Sequence, residues 1–461
     1  MTEPDLPTQT VELLRELIRN ACVNDGSPDS GGEARNAATL ERFLTAPDLD
    51  PDLAPAAGAA AGPGLSIQLL EPHPGRVSLI AELPGTDPTA PSLLLLGHTD
   101  VVPPGRGWAR EPFGAEIVDG VIWGRGALDM LHLTAAYAVV IRTLARSAVR
   151  MPGKLIFAAV ADEESGGHYG AQSLVAQRPD LLAVSGVLSE TGGIPLASGG
   201  AVRGVTVTVG EKGMSGRRLR FEGHPRHAST PWGADNALVT AADAVSRIAA
   251  HPALAEIDDL WPQYVEALDV PPELRAALTD PLRIDAALPE LGPLAGLAHA
   301  VTHTTCSPDI IRAGEKLNVV PQSAHVDLDI RTLPGVSAGA VDAYLRDALG
   351  PLADRTAIEP IGSESVASRS PLGTPLYAAL AEAVDTAYPG ARAVPVIAPG
   401  AADSRLFRYA GVPAYGFGMF SPRWTHADFR HLVHSVDERI DVETVGLVVR
   451  AVLQVAERVL A

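Results

Sequence analysis

Seven side chains able to bind metal or move protons fall in short, separate strings of this sequence. His98 stands one residue before Asp100 in LLLLGHTDVVP, Asp129 lies in GRGALDM, Glu163 and Glu164 are adjacent in ADEESGG, Glu190 ends the run before TGG, and His434 opens HSVDERI. A set of two imidazoles and three carboxylates drawn from these suits zinc, cobalt or manganese. One carboxylate shared between two ions leaves each ion an open position for water. Taken singly, each residue has a plain structural explanation, because a histidine after a strand is commonly a satisfied loop residue and paired acids commonly face water. The force of the argument lies in the set, which needs elements that deliver it to one place.

The sequence supplies such elements. Leu93 to Leu96 form an unbroken apolar run ended by Gly97, the pattern of a strand buried on both faces of a parallel sheet, and His98 and Asp100 follow at its C-terminal end. Leu155 to Val160 repeat the pattern and deliver Asp162, Glu163 and Glu164; the run LLAVSGVLSE delivers Glu190. Met130 to Leu144 is an alanine- and leucine-rich run suited to a crossover helix. Open α/β sheets bind ligands beyond the carboxyl ends of their strands, which gives these clusters one shared location.

Elsewhere, Val11, Leu14, Leu17 and Ile18 have helical spacing within 9 to 22, and the Pro-, Ala- and Gly-rich stretch 46 to 64 reads as a surface connection. The texture changes near residue 205. RRLRFEG alternates as a half-buried strand, 236 to 251 reads as a helix, 252 to 300 as helical with breaks, and 316 to 332 alternates through Val326, Leu328 and Ile330. From about 361 the earlier style returns, with a helix at 372 to 388, the strand ARAVPVI and a last helix from Val442 to Leu460. The expectation is an α/β fold in which a mostly parallel-sheet domain (1–204 and 361–461) closes around an inserted α+β domain (205–360).

Composition narrows the function. At 461 residues the chain exceeds one ordinary core, and 46% hydrophobic with 20% charged residues describes a globular protein without the ~20 consecutive apolar residues of a membrane span. A net charge of −19 argues against a phosphate backbone as partner, which requires basic patches. The first twenty residues lack a basic region followed by an apolar one, so the expected location is the cytoplasm. Cys22 and Cys306 are far apart and outside any CxxC spacing, which provides neither a disulfide framework nor a thiolate zinc site.

In order along the chain, LLLLGHTDVVP, GRGALDM, ADEESGG, SETGG, GHPRHASTP, NVVPQSAHVDLDIRTLPG, PGAADSR and HSVDERI together resemble the M20 family of metallopeptidases. That family embraces aminoacylases, acetylornithine and succinyl-diaminopimelate deacylases, carboxypeptidase G and several dipeptidases. The resemblance runs from about residue 93 to 440. It implies a dinuclear site in the parallel-sheet domain, with Asp129 bridging two divalent ions, His98 and Glu190 completing one site, and Glu164 and His434 the other; zinc is favoured, with cobalt or manganese as alternatives. It further implies that Asp100 hydrogen-bonds the far nitrogen of His98, that Glu163 is the general base, and that His227 in the inserted domain stabilises the oxyanion. Asn318 and Arg405 match positions that anchor the substrate carboxylate, with Arg331 a further candidate. The inserted domain is then a lid and, in a homodimer, a dimerisation surface. His132, His168, His224, His303, His426 and His431 read as structural or solvent-facing.

Three departures stand out: Leu131 and His132 replace the usual Lys-Gly after Met130, Ala401 and Ala402 replace Gly-Thr before Asp403, and Ser435 replaces a glycine. Rival readings lack their residues. Ser215 in GMSG lacks the flanks of a serine hydrolase's nucleophile elbow, GRGALD lacks the third glycine of a dinucleotide fingerprint, and no HExxH occurs. The expected activity is hydrolysis of the amide bond of an N-acyl amino acid or small peptide. The alternative, a relative that binds such a compound without turnover, has no use for Glu163.

Overall fold

Strands buried on both faces need apolar side chains along their middle, and the strands of the large sheet that carry the site have them in Leu93–Leu96, Leu155–Val160 and Val187–Leu188, within Ser92–His98, Lys154–Val160 and Gly186–Ser189. With Ala414–Gly416 they form the parallel centre of a ten-stranded sheet, in the order 154–160, 92–98, 186–189, 414–416. The computed structural model describes residues 5–46, 64–198, 200–253, 255–362 and 364–461; all but the end residues of the stretch 46–64 lie outside them. Antiparallel strands Arg76–Leu83 and Ser66–His73 extend the sheet on one side, and Ala201–Glu211 and its partners extend it on the other. The protein is α/β with a mostly parallel central sheet.

Helices cover both faces. Leu6–Arg19, Leu131–Arg146, Pro375–Ala387 and Val442–Leu460 bury their apolar stripes in the larger core, with Leu14, Leu17, Tyr137, Val139 and Val452 fully enclosed. On the opposite face Ala171–Gln177 and the short turn Pro179–Ala183 close a second core around Leu94, Leu96, Ile156 and Phe407.

A separate five-stranded sheet contains Gly213–Met214, Arg217–Glu222, Thr305–Ala313, Ser323–Thr332 and Thr356–Pro360, backed by the helices Ala237–Ala250 and Ala338–Leu349. Two features differ from the expected boundaries. Residue 205 falls inside Ala201–Glu211, which pairs in parallel with Arg392–Ala398 and so belongs to the large sheet before the chain crosses at Lys212. The helical segment after residue 255 also leaves the small sheet: Trp261, Tyr264, Val265, Leu278 and Ala298 form a core with Leu196 and Val394 of the large one. A change of sequence texture marks where side-chain patterns change, whereas these strands and helices are assigned by what they pack against. Among the described residues no helix is long and apolar enough to cross a membrane.

Candidate metal centre

The parallel strands end on one side, and their loops converge. His98 is the last residue of its strand; its Nδ1 lies 2.9 Å from the main-chain oxygen of Asp100, an acceptor only, so Nδ1 donates there and Nε2 is the nitrogen that faces the cluster. That Nε2 lies 3.2 Å from Asp129 Oδ1 and 3.7 Å from Glu190 Oε2. From the other side His434 Nε2 lies 3.1 Å from Asp129 Oδ2 and 3.2 Å from Glu164 Oε2. The Asp129 carboxylate therefore presents one oxygen to each imidazole. Ligand atoms of His98, Asp129 and Glu164, and likewise of His98, Glu163 and Glu190, all lie within 4.8 Å of one another.

Three loops hold left-handed backbone at non-glycine residues beside these groups: Asp162 (φ 65°), Thr191 (φ 68°) and His434 itself (φ 60°). Asp162 is pinned by Arg76 at 2.7 Å and accepts from the Tyr169 amide at 2.8 Å, which aims the following turn, Glu163–Ser165, at the cluster. Asp100 acts differently from the expectation. Its carboxylate stands 3.6 Å from His98 Nδ1, beyond hydrogen-bonding reach. It accepts instead from the amides of Glu163 (3.2 Å) and Glu164 (3.1 Å) and from Asn24 Nδ2 (2.8 Å). Asp100 thus orients both glutamates, and its carbonyl, not its carboxylate, fixes the imidazole.

Electrostatics fit a cationic occupant. Burial, reinforced by Glu190, pushes Glu163 well above the ordinary carboxylate range; burial likewise raises Glu164, and it raises Glu190 to about 7. Asp129 goes the other way: despite its burial, hydrogen bonds from His434 and His98 hold it low. Hydrogen bonds to Asp129 and Glu164 raise His434 to about 10. Glu164 Oε1 is buried without a partner. Four carboxylates this close oppose one another's ionisation, and divalent ions relieve that opposition while using the orphaned oxygen, so the donor set fits such ions.

The HSVDERI string contains a residue that sequence reasoning passed over. Glu438 is fully buried and takes 2.6 Å from Arg125 Nη1, 2.7 Å from the Leu128 amide, 3.1 Å from the Asp129 amide and 3.1 Å from the Gly126 amide. It clamps the turn that presents Asp129. Its position four residues after His434, just ahead of the strand Arg439–Asp441, was the available signal.

Other expected residues lie elsewhere. His227 and Asn318 come together in the small-sheet unit, joined by an isolated bridge between His227 and Val319 and by the Ala228 amide donating to the Asn318 carbonyl, and both are exposed. Arg331 forms a fork onto Asp329 (2.7 and 2.8 Å). Arg405 donates to the carbonyls of Ala402 and Gly166, at the end of the Glu163 turn. None of the four lines the cavity of about 330 Å³ that opens onto Asp129, Glu163, Glu164, Glu190 and His434. His132 and Leu131 are buried in the helix behind Asp129. His132 stands edge-on to Phe420, and burial lowers it to about 4. Ala402, at the second departure, donates its amide to Glu211, which also pairs with Arg408.

Residues 94–458 match the model of peptidase family M20/M25/M40, and the chain belongs to that family. It is thus a hydrolase of the peptidase and amidohydrolase kind. It is similar to aminoacylase-1 of Mus musculus, 27% identical over 90% of this chain and 88% of the relative. It also resembles a succinyl-diaminopimelate desuccinylase of Acidiphilium cryptum, 31% identical over 52% of this chain and 54% of the relative. Its fold matches an M20 family metallo-carboxypeptidase from Sulfolobus solfataricus with a TM-score of 0.67 at 17% identity, covering 99% of both chains.

Proposed function

We propose that this chain hydrolyses the amide bond of an N-acyl amino acid or small peptide at a pair of divalent ions. The observation that carries the reading is the two-sided Asp129 carboxylate, one oxygen facing His98 and Glu190, the other His434 and Glu164. In this reading Asp129 bridges, His98 and Glu190 complete one site, and Glu164 and His434 the other. Zinc is the favoured ion, with cobalt or manganese as alternatives; bound there, such ions would acidify water and polarise the scissile carbonyl.

Glu163 is the general base. It faces His98 and Glu190 and is held on a turn whose amides are fixed by Asp100. Its raised pKa suits a group that takes a proton from water and hands it to the leaving amine nitrogen. The small-sheet unit is the lid, and in a homodimer the contact surface. Its exposed His227 would reach a site of its own or its partner's chain to stabilise the oxyanion, with Asn318, Arg331 and Arg405 as anchors for a carboxylate. The names of the relatives favour acyl amino acids as substrates and the name of the family favours short peptides; the expected location is the cytoplasm.

The test is a panel of N-acyl amino acids and dipeptides offered to the purified protein with zinc, cobalt or manganese and then with chelator. Metal-dependent release of free amine is expected. Binding of a panel member with no release under any metal would replace this reading with one of a non-hydrolytic binder.

A further inference from the structure

One wall of the cavity comes from the helical segment 255–303. Chain elements that merely enlarge a lid would pack on the small sheet, yet this segment is fastened to the metal-bearing half at several points. Arg369 forks onto Asp259 at 2.6 and 2.8 Å, and Tyr264 Oη meets His426 Nδ1 at 2.9 Å. At the far end, Lys212 Nζ, next to the crossing between the sheets, reaches the carbonyls of Ala300 (2.8 Å) and His303 (2.7 Å) and the hydroxyl of Thr305 (3.1 Å). The Glu256 amide closes the segment on itself through the Thr302 carbonyl at 2.8 Å.

What the segment turns toward the metal ligands is apolar except for Asp258, whose carboxylate accepts from the Leu260 and Trp261 amides and faces Arg369. Leu260, Trp261, Tyr264, Leu297 and Val301 line the same cavity as Asp129, Glu163 and His434. Trp261 spends its only donor on the Leu278 carbonyl (2.7 Å) and Tyr264 its hydroxyl on His426, and the two rings stack at 5.4 Å. Their polar atoms are therefore satisfied inside the protein, leaving carbon surface to the cavity. Phe420 and Phe429, themselves in edge contact at 5.6 Å, also line it.

We infer that the segment 255–303 is the specificity wall of this enzyme, receiving a bulky uncharged aliphatic or aromatic substituent that flanks the scissile amide, with Trp261, Leu297 and Val301 as the determining contacts. The inference rests on the hydrolase reading for the placement of the amide at the metal ligands. A wall of this kind discriminates by buried area: each methylene transferred from water into carbon surroundings is worth about fourfold in affinity. A charged substituent set against Trp261, Leu297 and Val301 would lose its water without gaining a partner from them. The substituent can belong to the acyl group or to the amino acid, and two ligand series separate these sources.

The experiment uses the zinc-loaded full chain carrying Glu163→Gln, in which turnover is slowed so that binding is read first, and measures Kd by calorimetry. One series runs from N-acetyl- to N-octanoyl-alanine; the other runs through N-acetyl-alanine, -leucine and -phenylalanine, with N-succinyl-alanine as the charged comparison. One series is expected to tighten about fourfold per methylene, with N-succinyl-alanine weaker than N-butanoyl-alanine. Adding Val301→Trp should flatten that slope, and adding Leu297→Ala should carry it to longer members, each variant first shown by its melting curve to be folded. Affinity flat along both series, or a slope that both variants leave intact, overturns the inference. The two readings fail separately: steep binding by Glu163→Gln with no turnover of any member by the unmodified protein removes hydrolysis and keeps the wall, whereas turnover of short and long members alike with flat affinity removes the wall and keeps hydrolysis.

Discussion

Glutamine in place of Glu438 keeps the shape of the clamp under Asp129 and removes its charge. Arg125, 2% exposed and bound to Glu438 at 2.6 Å, then stands as a buried cation opposite an amide. Breaking a buried pair from one side costs about 3–5 kcal/mol. One of the two positions now accepting from the Gly126, Leu128 and Asp129 amides becomes a donor, so at least one amide faces another N–H. At ~2.1 cal/mol/K of unfolding entropy per residue, a chain of 461 residues shifts by about 1 °C per kcal/mol, so Glu438→Gln should melt ~3–5 °C lower. Because the same amides carry Asp129, affinity for zinc should fall ~10–100-fold, the usual effect of losing an outer partner of a ligand. Differential scanning fluorimetry and competition with a zinc chelator measure the two effects. The variant Arg125→Met separates them: Glu438 keeps its three amides, so zinc affinity should stay near that of the unmodified protein while melting falls, the buried carboxylate having lost its cation. Glu438→Gln with unaltered melting and unaltered zinc affinity would refute the clamp.

Three further outcomes follow from the same geometry. Glu163→Gln should lower kcat by ~10²–10⁴-fold and keep its metal, as steady-state rates beside elemental analysis would show; undiminished turnover would remove its role. In the metal-free protein His434 holds its proton up to about pH 10 against 6.5 for an ordinary histidine, so its contribution to stability is complete below pH 6.5 and is lost as pH rises toward 10. The melting temperature without metal should therefore decline from pH 7 to 10 and decline less in His434→Ala; equal slopes would contradict the pairing with Asp129 and Glu164. Lys212→Met strips the Ala300 and His303 carbonyls of their donor at about 1–3 kcal/mol each, and hydrogen exchange in 255–303 should rise ahead of exchange elsewhere; uniform protection would speak against the anchor.

The parallel centre was legible because burial on both faces leaves a mark in every residue: Leu93 to Leu96 and Leu155 to Val160 could be little else, and each is followed at once by its acids or imidazole. The long helices were legible for the same reason, Val442–Leu460 to the residue. Strand Ser66–His73, half exposed at the sheet's edge, carries no such run. Packing partners were hidden as well. Helical spacing in 255–303 says that a face is buried but not that it lies on Leu196 and Val394, and the change of texture near residue 205 does not reveal that a strand runs through it. Within the site, the convergence of His98, Asp129, Glu164, Glu190 and His434 on one place was legible from the short strings that follow the strands. Which atom of Asp100 meets His98 depends on a loop geometry that spacing does not encode, and Glu438 has a role only because a turn 309 residues away needs its amides held.

The central claim is that Asp129 holds two ions at once. Zinc titration of the metal-free protein, followed by calorimetry and elemental analysis, tests it directly. Two ions per chain are expected for the unmodified protein, and loss of both in Asp129→Ala, whereas His434→Ala should lose only the ion shared with Glu164. A single ion per chain, or two ions retained in Asp129→Ala, would contradict the account.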